Sequence, residues 1–397
     1  MSLKCTLLIP NSPSKSGRVR RFQIPGTRTR VTQITTFCAD IVGPGPTHIY
    51  LVEGECIVLL DTGIPASLVK KLFYSWRGEP VPPEIEALPD NYIEEQISTG
   101  LKAAGYAMKD LDILAISHGH PDHFFLGSHI LRHGKPKVLA HLYETSAISN
   151  PWEMLSRWIS GREKIAALGM PQPSYPSLEL AEHVNREAEG LAFRVDIPVF
   201  QDSPLQVNGS TVHDISIRHL PGHSPGSIGL LVGARDEQRI LLAGDAILYP
   251  ITPVPGDLLL YLRTLRKLEG LENVALVLPA HGRAIKDLRS RVLFLQNHHH
   301  RRLRLTYEAC RSPRSPWEIA TMPKYFNVRL DPDKFNPLAA TETLAHMEVL
   351  LMAAGIFRSH IRKGVHYFQN SGEPFRDVYE RVKDLVNDEK TKPIMRY

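Results

Sequence analysis

A seven-residue stretch, SHGHPDH at positions 117–123, holds the densest set of chemically active side chains in this sequence. His118 and His120 are two residues apart, so an extended backbone directs both side chains to the same face. The glycine and proline of the stretch favour a turn that directs Asp122 and His123 the other way. Imidazole and carboxylate groups bind divalent metals, and a cluster this dense is hard to explain as packing. The spacing therefore predicts a site in which each pair serves its own metal ion.

Four further candidates follow apolar runs and lie within two residues of a glycine: Asp61, His223, Asp245 and His281. Rigid scaffolds hold catalytic groups on loops at strand ends, so this repeated placement points to a functional site. Two interpretations are open for Asp61. Its carboxylate either closes an Asx turn with the residues after it, or stands behind a metal and orients a histidine ligand.

An alternation of strands and helices would position these residues. Residues 31–61 contain three short β-type runs separated by turns, and residues 92–104 have the apolar spacing of a helix. The run before the histidine cluster predicts a strand, residues 123–133 a short helix, and residues 137–140 another buried strand. Residues 1–30 suggest a loose or edge segment. The β-α-β-α-β order predicts a layered α/β architecture.

Residues 141–190 interrupt this alternation and are rich in aromatic side chains. An insertion of this length has a function or is disordered, and its aromatic content argues against disorder. It either adds core packing or forms a helical lid over a substrate pocket. In the second case Trp152, Trp158 and Tyr175 are the candidate pocket residues.

Composition limits the class of protein. With 397 residues, of which 43% are hydrophobic and 22% charged, the chain can bury a full core and a second, smaller domain. We expect a cytoplasmic protein, because no apolar run spans a bilayer and no signal peptide is visible. The four cysteines lack CxxC spacing, so nitrogen and oxygen ligands are expected for any metal. A net charge of +5 permits an anionic substrate without establishing a nucleic-acid partner.

The C-terminal third predicts a small helical module. A basic helix is expected around residues 293–309, a short helix at 315–320, an amphipathic helix at 338–354 and a two-stranded hairpin at 356–368. The first helix contains three consecutive histidines at 298–300. Consecutive helical residues point in different directions, so we expect a solvated helix face there rather than a metal site.

The motifs together resemble the metallo-β-lactamase superfamily. HxHxDH stands at 118–123, GH at 222–223, GD at 244–245 and AHG at 280–282, in this order over residues 31–289. The resemblance implies an αββα sandwich and a binuclear site. It implies one metal held by His118, His120 and His223, a second held by Asp122, His123 and His281, and Asp245 as the bridge between them. Asp122 and Asp245 are also the expected catalytic residues.

Two differences from the patterns of known subfamilies narrow the choice of subfamily. His120 occupies the place of a glutamate in the oxygen-reducing di-iron relatives, and the interval between Asp245 and His281 is too short for the inserted domain of the long-RNA nucleases. The remaining group is glyoxalase II-like with a winged-helix-like tail, and it includes thioesterases, lactonases and an endoribonuclease. The helix at 338–354 contains Glu342 and Glu348, so packing or dimerisation is favoured over nucleic-acid recognition.

This resemblance gives a domain division and a function. The expected division is an N-terminal segment (1–30), a metallo-β-lactamase-like domain (31–290, with the insertion at about 141–190), a winged-helix-like domain (291–372) and a helical tail (373–397). The expected function is hydrolysis of an ester or thioester of a small acyl substrate by a hydroxide bridging two divalent ions, zinc first, with iron or manganese as alternatives. The alternative function is that of an endoribonuclease or phosphodiesterase. A non-hydrolytic mono-iron dioxygenase and a nucleic-acid-binding protein are less favoured by the sequence. The module is also compatible with a homodimer, and no membrane partner is expected.

Overall fold

Two β-sheets packed face to face form the centre of the structure, which is a computed structural model. Within the described part of the chain, the larger sheet has eight strands in chain order: β1 (Lys4–Ile9), β2 (Val19–Gln23), β3 (Arg30–Thr36), β4 (Thr47–Glu53), β5 (Ile57–Leu60), β6 (Ile113–Ala115), β7 (Lys137–His141) and β8 (Ile197–Val199). The smaller sheet contains β9 (Ser203–Val207), β10 (Ser210–His219), β11 (Ile228–Val232), β12 (Arg239–Leu242) and β13 (Val274–Leu278). Its spatial order is β13-β12-β11-β10-β9. An apolar cluster fills the space between the sheets, with Leu60 and Leu139 from one and Ile217 and Leu242 from the other.

The structure describes residues 3–10, 17–23, 29–38, 44–77, 80–151, 166–171, 190–234, 236–326, 328–334, 336–388 and 390, with the side chains of 72–77 left aside. Trp152, Trp158 and Tyr175 lie outside these ranges, so their role in a pocket stays a prediction. Across the described ranges, no helix has both the length and the hydropathy needed to cross a membrane.

Helices cover the outer face of each sheet. The larger sheet is covered by α1 (Ala66–Arg77), α2 (Pro83–Glu86), α3 (Tyr92–Ala104), α4 (Pro121–Phe124), α5 (Gly127–His133) and α6 (Thr145–Ser149). The smaller sheet is covered by α7 (Leu258–Glu269), α8 (Leu288–Ala309), α9 (Pro316–Ala320), α10 (Pro337–Met352) and α11 (Phe375–Asn387), together with the hairpin of β14 (Ile356–Arg362) and β15 (Val365–Asn370). This is an αββα arrangement with an additional C-terminal helical region, and the predicted fold class is confirmed.

Helix α3 shows how sequence spacing produces this covering. Ile93, Ile97 and Leu101 are four residues apart, so they lie on one face of the helix, and all three are fully buried against the larger sheet. Gly105 ends the helix in a left-handed conformation, with φ of 92°, that a residue with a Cβ rarely adopts. The helix predicted at 92–104 is therefore observed with the same bounds.

The described N-terminal residues form edge strands, which is one of the two alternatives predicted for residues 1–30. Strand β1 pairs with β2, and β2 pairs with β3, both antiparallel, so residues assigned to a separate segment extend the larger sheet at its edge. Four of the six residues of β1 are exposed and the other two are partly buried, so neither face of the strand is buried and its sequence carries little alternation. Similarly, the helix predicted at 123–133 is divided into α4 and α5.

Parallel pairing determines where the functional loops lie. Strands β5, β6, β7 and β8 run parallel to one another, and β12 runs parallel to β13. The carboxyl ends of parallel strands lie at the same edge of a sheet, which is where open α/β proteins place their ligand sites. Asp61, the 117–123 stretch, Asp245 and His281 all follow the ends of these strands.

The C-terminal elements share a core with the helix layer of the smaller sheet. Leu265 of α7, Leu303 of α8, Leu350 of α10 and Val378 of α11 are fully buried in one apolar cluster. The predicted boundary at 290/291 lies inside the continuous helix α8. The winged-helix-like character of this region stays a prediction.

The prediction of a solvated triple histidine is wrong, because α10 covers that face of α8. His299 is fully buried, and its Nδ1 lies 3.1 Å from Nε2 of His346. Beside this pair, the buried guanidinium of Arg302 donates a hydrogen bond of 3.0 Å to Glu342. The sequence of α8 alone does not show that α10 packs against the face that contains His299.

Residues 166–171 tie the insertion to the C-terminal region. The carbonyl of Leu168 accepts a hydrogen bond of 3.0 Å from the Trp317 amide, and the carbonyl of Ala167 accepts one of 2.9 Å from the His366 amide. Leu168 and Met170 are buried with Trp317 in a small apolar cluster. This described part of the insertion is therefore packed as core.

We expect Trp317→Ala to destabilise the protein by about 3–5 kcal/mol, because the change empties the centre of that cluster and removes the indole bond to the Pro332 carbonyl. The measurement is urea unfolding followed by circular dichroism. Phe357→Ala, at an aromatic side chain that is 49% exposed, is the control and should change stability by less than about 0.5 kcal/mol. Equal losses in the two variants would contradict the packing role of Trp317.

Candidate metal centre

The structure brings the seven predicted ligands together at the carboxyl edge of the sheets. Their side-chain nitrogen and oxygen atoms form three overlapping groups, each spanning less than 4.8 Å. The groups consist of His118, His120 and His223, of His118, His123 and Asp245, and of Asp122, His123 and His281. His120 and His223 are partly exposed, whereas the other members are buried, so the site opens to solvent on the side of these two histidines.

The first group consists of three imidazoles from two distant loops. Nε2 of His118 lies 2.9 Å from Nδ1 of His120, which in turn lies 3.0 Å from Nε2 of His223. Nitrogens bound at about 2.0–2.1 Å to one tetrahedral zinc ion would be separated by roughly 3.3 Å. The observed separations are close to this value, so the three nitrogens fit a shared divalent ion.

The second group lies deeper in the protein. Oδ2 of Asp122 is 3.2 Å from Nε2 of His281 and 3.6 Å from Nε2 of His123. The chain positions His281 through strand β4, because the His48 amide donates to the Ala280 carbonyl and Thr47 forms a β-bridge with His281. Two nitrogens and one oxygen therefore converge, which is a donor set suited to zinc, iron or manganese.

Asp245 lies between the two groups. Its Oδ2 is 3.5 Å from Nε2 of His223 and 3.9 Å from Nε2 of His123, while its Oδ1 is 3.7 Å from Nε2 of His281. Among the described side chains, Nε2 of His123, Nε2 of His281 and Oδ1 of Asp245 are buried without a hydrogen-bond partner. Buried polar atoms are rarely left unpaired, so these three atoms fit a bound cation between them.

Several ligand histidines are held by an acceptor behind the ring. Nδ1 of His223 lies 2.9 Å from the Val254 carbonyl, and Nδ1 of His281 lies 3.2 Å from the Pro46 carbonyl. Nδ1 of His123 lies 2.8 Å from Asp61. In each case the hydrogen bond to this acceptor requires a proton on Nδ1, which leaves Nε2 available to bind a metal.

Asp61 connects to both groups from behind. Oδ2 of Asp61 accepts hydrogen bonds from His123 and from the Ser117 hydroxyl, and Oδ1 accepts one from the Ser117 amide. The Ser117 hydroxyl oxygen lies 3.0 Å from Nδ1 of His118, so it can accept a hydrogen bond from that ring while its own O–H donates to Asp61. Asp61 adopts a left-handed backbone conformation, with φ of 65°, which directs the carboxylate to these partners. Of the two interpretations, this geometry matches a carboxylate that orients histidine ligands.

Charge distinguishes the two groups. Burial lowers the pKa of His118 well below its usual value and that of His120 to about 3, so both rings are neutral at neutral pH. Burial acts in the same direction on His123, but the carboxylates of Asp122, Asp61 and Asp245 raise the pKa of that ring to about 10. In the metal-free protein the deeper group therefore carries a proton that a metal must displace.

The sequence analysis missed two residues that support these ligands. Ser117 stands inside the motif stretch, but its link between Asp61 and His118 requires the folded geometry. Glu144 is buried and contacts both loops of the three-histidine group. A serine beside a ligand cluster is a recognisable signal, whereas nothing in the sequence around Glu144 indicates a role.

The fold and the ligand set define a metallo-β-lactamase-type protein. The model of the metallo-beta-lactamase superfamily matches residues 42–281, which is more than half of the chain, and the chain belongs to that superfamily. Two solved structures are similar in fold. A metallo-beta-lactamase family protein of Thermus thermophilus is 21% identical, with a TM-score of 0.64 over 86% of this chain and 98% of that one. A beta-lactamase domain protein of Burkholderia ambifaria is 20% identical, with a TM-score of 0.63 over 91% and 96%.

A relative with a named activity matches over a shorter region. The atrochrysone carboxyl ACP thioesterase AgnL7 of Paecilomyces divaricatus is 30% identical over 138 residues. The match spans 35% of this chain and 40% of that protein.

We expect two zinc ions to bind, with affinities that differ in how strongly they depend on pH. Binding to the deeper group displaces the proton of His123, so its affinity should fall by about tenfold for each unit that the pH is lowered from 8 to 6. The ion bound by His118 and His120 displaces no proton from these neutral rings, so its affinity should depend much less on pH. Calorimetric titration of metal-free protein in buffers of different ionisation enthalpy measures both affinities and the protons released. Identical pH slopes for both ions would refute the assigned difference in charge.

We expect Asp61→Asn to weaken zinc binding by about 10–100-fold. Both carboxylate oxygens of Asp61 accept hydrogen bonds, from His123 and from Ser117. Asparagine replaces one of these oxygens by an NH₂ group, which cannot accept a hydrogen bond and so faces a donor. Competition with a chromophoric chelator measures the affinity. Asp112→Asn is the matched control, since Asp112 also accepts a backbone N–H, from Ile57, before β6 begins. If Asp61→Asn lowers only the melting temperature, the carboxylate stabilises the turn and does not orient the ligands.

Proposed function

We propose that this protein is a binuclear metal-dependent acyl hydrolase that cleaves thioesters. The observation that carries the proposal is the convergence of seven ligand side chains into two groups joined by Asp245. Two divalent ions held there, zinc first, would supply a water-derived nucleophile at neutral pH and polarise the carbonyl that it attacks. The protein itself contributes the ligand positions, their tautomers and the exclusion of bulk water from the deeper group.

The open side of the site favours a substrate with an apolar acyl part. The segment at 249–254 joins the two ligand loops, since the Tyr249 carbonyl accepts a hydrogen bond from the Arg283 amide and the Val254 carbonyl contacts His223. Tyr249 is 41% exposed and Ile251 is 37% exposed on this segment. Exposed aromatic and aliphatic side chains beside a polar reaction centre suit an acyl chain whose carbonyl enters the site.

The similarity to a protein named as an ACP thioesterase supports a thioester as the scissile group. A carrier-bound acyl group would place its thioester at the metal centre while the carrier remains outside. The match covers less than half of either chain, so both substrate and carrier are part of the proposal.

The features that suggested a nuclease are weaker in the folded protein. Arg302 is buried in an ion pair with Glu342 and stacks on the rings of Tyr325 and Phe326, so it offers no charge to a phosphate backbone. Arg304 is exposed but lies 3.6 Å from Glu308 on the same helix. Phosphate-backbone binding requires several free cationic side chains, and this helix presents fewer than its sequence suggested.

We expect the zinc-loaded protein to hydrolyse aromatic and long-chain acyl thioesters with a kcat/KM at least about 100-fold above that for RNA or bis(p-nitrophenyl) phosphate, a difference of about 2.7 kcal/mol in transition-state stabilisation. Free-thiol release measures thioester cleavage, and phenolate absorbance or gel analysis measures the alternatives. Because Asp122 is a ligand of the deeper group, Asp122→Ala should abolish turnover.

Arg304→Ala provides the matched comparison, because this exposed side chain lies on the basic helix and outside the ligand set. Thioester cleavage should be unchanged in this variant. Cleavage of RNA that exceeds thioester cleavage, and that falls in Arg304→Ala, would replace the proposed function by a nuclease.

A further inference from the structure

Glu144 is a buried carboxylate that joins two loops of the metal centre. It ends the short 3₁₀ helix Leu142–Glu144 after strand β7, and its side chain is nearly inaccessible to solvent. Oε2 accepts a hydrogen bond of 2.9 Å from the Gly119 amide. Oε1 accepts hydrogen bonds of 2.7 Å from both the Gly226 amide and the Ser224 hydroxyl.

These three donors belong to the loops that carry the three-histidine group. Gly119 lies between His118 and His120, whereas Ser224 and Gly226 follow His223. The two loops are about a hundred residues apart in the chain, and one carboxylate connects them. Charge-assisted hydrogen bonds are shorter and stronger than neutral ones, so Glu144 fixes the distance between the loops more firmly than apolar packing would.

The two glycines are required for this arrangement. A Cβ on Gly119 would lie 2.7 Å from Oε2 of Glu144, and a Cβ on Gly226 would lie 2.7 Å from Oε1. Both separations are shorter than real Cβ contacts, so only glycine lets each backbone N–H reach the carboxylate. The glycine between the first two histidines therefore has a role in holding the loop as well as in forming the turn.

We propose that Glu144 is a positioning residue that sets the separation of His120 and His223 and thereby the affinity of the ion shared with His118. The inference rests on the metal centre of the proposed function, and it concerns metal binding rather than turnover. Nδ1 of His120 and Nε2 of His223 lie 3.0 Å apart. The backbone hydrogen bond between these parts of the chain, from the Ile228 amide to the Ser117 carbonyl, joins residues outside the segments 118–120 and 223–226. The carboxylate adds a connection beside the histidines themselves, through Gly119 on one loop and Ser224 and Gly226 on the other.

The test is Glu144→Gln, which keeps the size of the side chain but places an amide group against one of the N–H donors. Zinc affinity is measured on metal-free protein by competition with a chromophoric chelator. We expect the affinity for one of the two ions to fall by about 10–100-fold, the range for outer partners of metal ligands. Ser224→Ala, which removes one donor and retains the backbone, should weaken the same ion by a smaller factor.

Two backgrounds identify the affected ion. In Asp122→Ala, where the deeper group is incomplete, adding Glu144→Gln should weaken the remaining ion by the full factor. In His120→Ala, where the three-histidine group is incomplete, the same addition should leave the remaining ion within about threefold, since separate sites are expected to behave additively. Equal effects in both backgrounds, or none in either, would overturn the assignment.

Glu342→Gln is the control variant, because it removes a buried carboxylate that lies away from the metal centre. Glu342 is buried to a similar degree and accepts a hydrogen bond from Arg302 in the C-terminal layer. It should lower the melting temperature without changing zinc affinity. If Glu342→Gln weakens zinc as much as Glu144→Gln does, Glu144 acts only through general stability. A protein that binds zinc as expected and cleaves no thioester would refute the proposed function and leave this inference standing.

Discussion

Imidazole nitrogens and carboxylate oxygens whose lone pairs repel one another are held about 3 Å apart in the candidate metal centre. Contacts from the surrounding structure hold them in this arrangement. Three imidazole nitrogens face one another in one group, and two imidazoles face carboxylates in the other. Such an arrangement is unfavourable without a cation or a proton between the donors. Each ligand must therefore be restrained by contacts on its far side.

Those restraints come from several parts of the fold and use the same chemistry. Asp61 holds His123 directly and His118 through Ser117, and backbone carbonyls hold His223 and His281. The αββα architecture helps to hold the ligands, because the loops that follow parallel strands lie at one edge of the sheet. The packing of the two sheets then keeps these loops close together. Rigid strand ends and buried acceptors together hold the candidate ligands in a defined arrangement.

The C-terminal region contributes to the same rigidity from outside. Its helices share a core with the layer that covers the smaller sheet, and Trp317 and His366 hold the described part of the insertion. The C-terminal region is therefore joined to the domain that carries the candidate metal centre, both through this shared core and through the insertion. This arrangement gives a structural reason for helices whose charged residues, such as Arg302 and Glu342, are directed inward.

The sequence by itself was enough to predict the fold class, which the structure confirms, and to select the seven candidate ligands that the structure brings together. The spacing of the histidines is local information, since two positions along an extended chain put His118 and His120 on the same face. The placement at strand ends follows from the apolar runs that precede each motif. The sequence could not determine which distant groups pack behind the ligands. Glu144 lies in an unremarkable helical turn, and only the approach of two loops makes it a connection between them. His299 was assigned to solvent because its own helix gives no indication of α10. Burial and long-range hydrogen bonds depend on how elements meet, and that was decided only by the tertiary structure.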